Sequence, residues 1–438
     1  MGAALLAHVA GTITGAFASE AERDGAYDFL SNTAVTLVAL TLGIWSACAK
    51  RCAKFEWVYV PIDGSSIALT DAHKTRGTGA VGTHKSRGLG FIVMTAIAVS
   101  SGGVALGVCG QEFWTRASKR IKDKGNKRTF EEKESRDWIV VAEQVMAAFR
   151  TSAKRCVPWF QFDRGGDIGE VLLHAVANNW RITVRASWDR RLNDPEEIRY
   201  LWDTLLKKPE MGRYALDVPA GKHRQARVAS MSVRACTVTL RLKDKRTKKI
   251  RTVTLGAVHT REVGTTPAGE KPIEWMLLTT ASIANFADAK QVIDGYAQRW
   301  KIELFHRLWK SGRCNVEDNH LHTSERILKW ATILASVAMR TLQLTYQART
   351  APELPADQLL SRDEIDAIIL LRKPKGYAVG DTPGLGITVR WIAQIGGFTN
   401  KGKKVHPGKI VVGRGLDRIA AAVELLHALR PAKKKGKK

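Results

Sequence analysis

The chain has 438 residues, 45% of them hydrophobic, enough to bury a core in two or three structural units and too apolar for a disordered tail. Its 69 Lys and Arg against 42 Asp and Glu leave a formal charge of +27 and a pI near 10.0. Such a surplus repels itself unless a polyanion neutralises it, so nucleic acid is the expected partner. The six cysteines (Cys48, Cys52, Cys109, Cys156, Cys236, Cys314) are scattered without a CxxC pair. That spacing argues against a zinc ribbon or a disulfide framework and fits a reducing cytoplasm.

The opening stretch has an apolar run before an Ala-Phe-Ala step but lacks the positive start of a signal peptide. The run Thr33 to Ala49 falls short of a membrane span and predicts a buried or docking helix. Trp57 to Ile62 then predicts a buried strand that ends at Asp63, before the turn-forming Gly64, Ser65 and Ser66. Gly77 to Gly82 satisfies G-x-G-x-x-G, yet no clear strand runs into it and no helix opens from it, so it predicts a loop and not a dinucleotide site. Gly90 to Ser100 and Val104 to Phe113 predict two more strands.

After a charged stretch, Thr129 and Glu132 have capping-box spacing and predict the start of a helix that carries Trp138, Val141, Val145 and Phe149 on one side. Val157 to Phe162 predicts a fourth strand ending in an acid, here Asp163. Asp167 and Glu170 repeat the box spacing, which makes Asp167 the expected N-cap of a helix over about Ile168 to Asn178, followed by a strand from Trp180 to Ala186.

Residues 190–285 alternate in strand fashion and predict a β-rich insertion, and helical periodicity returns from about Ala287. The resulting order fits an α/β fold: a ribonuclease-H-like core with a mixed five-stranded sheet, interrupted by the insertion and followed by a helical C-terminal region. The expected divisions are 1–50 (a shortened helical N-terminal region), 51–189 and 286–345 (the two parts of the core), 190–285 (the insertion) and 346–438 (helices with a basic tail).

The segment DGYAQRWKIELFHRLWKSG places Tyr296, Arg299, Glu303 and Lys310 at Y-x2-R-x3-E-x6-K spacing. On one continuous helix these four fall within an arc of about 60°, with Ile302, Leu304, Phe305, Leu308 and Trp309 on the other side. A polar front with an acid, two cations and a phenol suits a phosphodiester, although an ordinary amphipathic helix has the same periodicity. Asp63 and Asp163 at strand ends, joined by Glu303, would supply three hard oxygen ligands suited to Mg²⁺ or Mn²⁺. His320 and His322 form an isolated pair without further ligands.

These residues resemble the YREK group of DDE transposases, the Tn-five-like IS-four family. AERDGAYDFLSN, DRGGDIGEVL, HRQARVASMSVR, KPIEWMLLT and VRWIAQIGGF resemble further segments of that family, so the likeness runs from about residue 21 onward. It implies that Asp63, Asp163 and Glu303 are the catalytic metal ligands and that Tyr296, Arg299 and Lys310 contact DNA phosphates. It also implies that Trp275 receives a flipped base, that Mg²⁺ is the cofactor with Mn²⁺ able to substitute, and that two copies pair transposon ends in a cytoplasmic, nucleoid-associated complex. The implied reaction is cut-and-paste transposition through a DNA hairpin. Relatives have a longer helical start, which leaves the alternative of a DNA-binding relic or inhibitor of transposition.

Overall fold

A computed structural model describes residues 9–17, 19–70, 76–82, 88–116, 128–194, 197–221, 224–244, 247–399 and 406–429. The tail Pro431 to Lys438 and most of the charged stretch after Phe113 lie outside the described residues. Among the described residues three N-terminal helices, α1 (Ile13–Ala16), α2 (Glu20–Ser31) and α3 (Leu37–Cys52), lead into the first strand. Helix α3 is the predicted docking helix: Trp45, Cys48, Ala49 and Cys52 are buried while Val38 and Leu42 face outward. No helix among the described residues is long and apolar enough to cross a membrane.

Strands β1 (Trp57–Ala68), β2 (Gly79–Val81), β3 (Gly88–Val99), β4 (Ala105–Trp114), β5 (Val157–Phe162) and β6 (Arg181–Arg185) build the first half of a mixed sheet. Its core order is β4-β3-β1-β5-β6, with β1 antiparallel to β3 and parallel to β5. The G-x-G-x-x-G segment is a short edge strand, β2, paired to the start of β3, with Gly77 and Gly82 at positive φ where the chain turns. A loop prediction is thereby corrected, because pairing to a distant strand leaves no local periodicity.

Helices α4 (Asp137–Ser152) and α5 (Gly169–Ala177) cover one face. The Thr129 box forms only in part: Glu132 accepts the Thr129 N–H at 2.7 Å, but α4 opens at Asp137 after a 3-10 turn and has no side-chain cap. Helix α5 is capped at Ile168, not Asp167. Asp167 is buried instead, accepting N–H bonds from Ser187 (2.7 Å) and Trp188 (3.3 Å) and pairing with Arg190 at 2.7 Å. It therefore ties the turn after β5 to the loop after β6.

The β-rich region contains α6 (Leu201–Leu206), β7 (Gly212–Val218), β8 (Arg227–Lys243), β9 (Ile250–Val263) and β10 (Glu274–Thr279). These strands do not form a sheet of their own. Strand β10 pairs antiparallel with β6, so the order continues β6-β10-β9-β8-β7 and a single ten-stranded sheet results among the described residues. The five-stranded core is embedded in that larger sheet.

Helices α7 (Phe286–Ala297), α8 (Trp300–Lys310) and α9 (Ser324–Thr350) pack on the face opposite α4 and share its apolar core with Tyr59, Trp159 and Ile67. Beyond them α10 (Arg362–Arg372), α11 (Leu385–Ile395) and α12 (Lys409–Leu429) enclose a separate core with the end of α9, formed by Leu344, Ile365, Ile368, Leu385, Ile392 and Leu416 among others. The fold also gathers four cysteines that are far apart in sequence. Cys48, Cys52 and Cys156 lie buried as free thiols around Cys109 of β4, with Cys48 hydrogen-bonded to both Cys52 and Cys109.

Candidate active site

Strand alternation sets the first two acids. Val58, Val60 and Ile62 face α4, so Tyr59, Pro61 and Asp63 face the opposite side, and on β5 Phe160 and Phe162 leave Trp159 and Asp163 on that same side. The parallel register pairs Pro61 with Gln161. Two residues farther on, Asp63 and Asp163 therefore lie side by side, roughly 5 Å apart by strand spacing. Asp163 follows the end of β5, but β1 does not stop at Asp63: it runs on through Gly64, Ser65 and Ser66 to Ala68, paired with Met94, Val93 and Ile92 of β3, so the predicted strand end and turn are corrected, because pairing to a distant strand leaves no local signal. Asp163 also caps the 3-10 turn Arg164–Gly166, accepting the Gly165 N–H at 2.6 Å. Asp63 accepts the Gly64 N–H at 2.9 Å.

The third acid arrives on α8. The predicted continuous helix is broken: α7 ends at Ala297, and Arg299, Lys301 and Ile302 each donate a backbone N–H three residues back, to Tyr296, Gln298 and Arg299. This tight turn divides the four-residue pattern between two helices, with Tyr296 in the last turn of α7 and Glu303 in the first turn of α8. The expected apolar back holds, since Ile302, Phe305, Leu308 and Trp309 are buried and Leu304 is half-buried. Arg299 sits at the break and bridges the acids, with Nη2 donating to Glu303 at 2.6 Å and Nη1 to Asp63 at 3.4 Å.

Electrostatics mark this corner as short of positive charge. Burial first, and the neighbouring Asp163 next, push the Asp63 carboxyl up to about 7 against the opposing pull of Arg299. Burial alone would weaken the Arg299 cation, but the bond to Glu303 and the nearby Tyr296 and Asp63 hold its pKa above the usual value. The Tyr296 hydroxyl is raised by burial and lies beside Arg299 and Arg185. Trp275 on β10 meets Tyr296 edge-to-face, with ring centroids 5.3 Å apart, and is half-buried.

Lys310 stands apart from the acids. It pairs with Glu317 at 3.4 Å, and Glu317 accepts the Ala68 N–H at 2.9 Å, so Lys310 lies toward the far end of β1. Two exposed indoles, one beside Arg299 and one on the loop tied to Asp167, were not singled out in the sequence. Trp300 is 57% exposed beside Arg299, and Trp188 is 64% exposed and follows the loop held by Asp167. Their only sequence signal is an aromatic residue in a polar context, which periodicity does not flag.

Carboxylates gathered with arginine on one face of a mixed α/β sheet, in a strongly basic chain, define a polynucleotide phosphoryl-transfer enzyme. Residues 111–340 match the transposase DDE domain, and residues 336–436 match the transposase Tn5 dimerisation domain. The chain belongs to the DDE transposases, as a Tn5-like member of the IS-four family, and its fold is accordingly ribonuclease-H-like. It is a DNA transposase and a DNA-cleaving enzyme.

The family works with divalent metal ions. The donor chemistry here fits one: three hard carboxylates, one of them held back from ionising by burial first and by the neighbouring Asp163 next, beside a single guanidinium. Among the described residues no three His, Cys, Asp or Glu side chains are drawn together at ligating geometry, and Arg299 ties up two of the carboxylates. His320 and His322 accordingly join no such group.

Proposed function

We propose that this transposase moves its element by cut-and-paste transposition through a hairpin, with Asp63, Asp163 and Glu303 as the metal-holding carboxylates. The observation that carries the reading is the side-by-side register of Asp63 and Asp163 with Glu303 linked to Asp63 through Arg299. Magnesium, or manganese in its place, would activate the attacking oxygen and stabilise the leaving one. Every step is then the same displacement: one P–O bond forms, one breaks, and the attacking hydroxyl loses its proton. Water frees a 3′-OH at the transposon end, that hydroxyl attacks the opposite strand, water reopens the hairpin, and the 3′-OH finally attacks target DNA.

The chain's own groups position the phosphate. Arg299 exchanges its two carboxylates for phosphate oxygens, which frees Asp63 and Glu303 and converts an internal ion pair into a substrate contact. Tyr296 adds a neutral donor beside it, and Lys310 holds a phosphate farther along the strand. Trp275 offers an indole for a flipped base, where stacking offsets part of the unstacking cost. The matched dimerisation domain supports a homodimer that brings two ends together.

Linear DNA bearing the element's inverted repeats, incubated with Mg²⁺ or Mn²⁺ beside a Glu303→Gln control, tests this. Nicks and hairpins at the repeat boundary with the parent chain alone are the expected result. Binding without cleavage by the parent chain would overturn it in favour of a relic or inhibitor, and equal cleavage by the control would remove Glu303 from the site.

A further inference from the structure

Helix α8 carries basic residues away from the carboxylates toward the C-terminal helices. Lys301 follows Arg299 by two residues, and its Nζ lies 4.6 Å from the centroid of the Tyr346 ring. Arg349, in the last turn of α9, lies 5.6 Å from the same ring by its Cζ. Its Nη2 donates to the Pro407 carbonyl at 2.9 Å, which pins the end of α9 to the segment entering α12. Lys409 opens α12, and the charges that bear on it are the cations Arg307 and Arg349. Arg307 is an exposed residue on α8, one turn beyond Glu303. Three helices thus deliver four cations to one junction, and among the described residues none of the four makes an ion pair with a carboxylate.

Apart from the Arg349 bond and the contacts with the Tyr346 ring, the four charges are not offset within the fold. Burial, followed by the repulsion of Arg307 and Arg349, pulls the Lys409 ammonium down to about 8. The first turn of α12 contains no acid, so a lysine stands at the positive end of the helix dipole, where a cation is disfavoured. Tyr346 gives Lys301 and Arg349 a shared aromatic face but no counter-charge. Each of these costs falls when an anion enters, and arginine forks beside the positive end of a helix suit phosphate oxygens.

We propose that Lys301, Arg307, Arg349 and Lys409 form a second seat for the backbone phosphates of duplex DNA, outside the catalytic carboxylates and at the junction of the catalytic helix with the C-terminal helices. The seat rests on the transposase reading. It holds the duplex that extends beyond the cut, so that strand position at Glu303 and the placement of α12 depend on the same DNA.

The test is fluorescence anisotropy of the full chain with a labelled linear duplex, without divalent metal, across a KCl series. The pair Arg349→Gln and Lys409→Gln should weaken binding by roughly tenfold and flatten the slope of log K against log salt by about 2, one phosphate contact per lost cation. The charge-preserving pair Arg349→Lys and Lys409→Arg should recover the parent slope. An unchanged slope in the glutamine pair overturns the seat, and so does an equal loss in the charge-preserving pair, since packing and not charge would then matter. Metal-dependent nicking at the repeat boundary by the parent chain reports separately on the transposase reading, so the two can fail independently.

Discussion

Carboxylates wholly or partly buried against the core sheet meet three different surroundings. Asp63 has Arg299, and Asp167 has Arg190 with two backbone N–H donors, although burial still raises its pKa. Asp137, the first residue of α4, is nearly buried with Arg136 3.6 Å away and the carboxylates of Glu112 and Glu134 close by. Burial leads, Glu112 and Glu134 add to it, and together they push Asp137 up to about 6. Its folded pKa lies above the unfolded value, so the folded chain holds the extra proton between about pH 4 and pH 6. Stability therefore falls as pH rises through that window and stays lowered above it. Asp137→Asn removes the penalty: it should raise the melting temperature at pH 7.5, by an amount on the order of 2 kcal/mol in stability, and change it little at pH 4. Thermal melts of both chains at the two pH values decide it, and an equal effect at both would mean that Asp137 is not held protonated.

At the scale of elements, the break between α7 and α8 sets the site, and Gly295 makes room for it. A Cβ there would lie 2.5 Å from Cε1 of Tyr59, whose ring packs against Trp159 on the neighbouring strand. Alanine is the better helix former by about 1 kcal/mol, but overpacking a filled core costs about 1–3 kcal/mol, so the steric term should win. Gly295→Ala is expected to lower the melting temperature and, by moving Tyr296 and Arg299, to reduce nicking of repeat-bearing DNA. A variant at least as stable and active as the parent would show that Tyr59 can move aside. Much at this scale was legible in sequence. The strand β5 ending before Asp163, the docking helix α3 and the apolar back of α8 follow from period and burial, whereas the continuation of β1 past Asp63 does not. The break itself was not, because Tyr296 to Lys310 satisfies helical periodicity throughout and tight packing on Tyr59 is a long-range fact. The spacing of Asp167 and Glu170 misled for the same reason: a buried arginine twenty-three residues on claims the aspartate. Pairing of β10 with β6, which merges the insertion into the core sheet, and the assembly of four distant cysteines likewise have no local signature.

For the whole molecule, the matched DDE domain and the matched dimerisation domain meet in α9: its first part packs on the sheet and its last turns belong to the C-terminal core. That second core depends on two helices approaching backbone to backbone. A Cβ on Gly415 of α12 would fall 1.8 Å from the Ile392 carbonyl oxygen of α11, and one on Gly396 would fall 1.9 Å from the Val411 carbonyl oxygen. Neither obstacle is a side chain that could rotate away, so any larger residue must separate the helices. Gly415→Ala should therefore loosen α12 while leaving the sheet and the carboxylates in place. Trypsin is expected to release the C-terminal segment first, and gel shifts on repeat-bearing DNA should retain single-end binding while losing paired-end complexes. Nicking at one end should persist at reduced rate, because the loosened helix also carries Lys409 away from Arg349. If α12 stayed resistant to trypsin and paired-end complexes formed as in the parent chain, the close crossing would not be what couples the catalytic sheet to dimer formation.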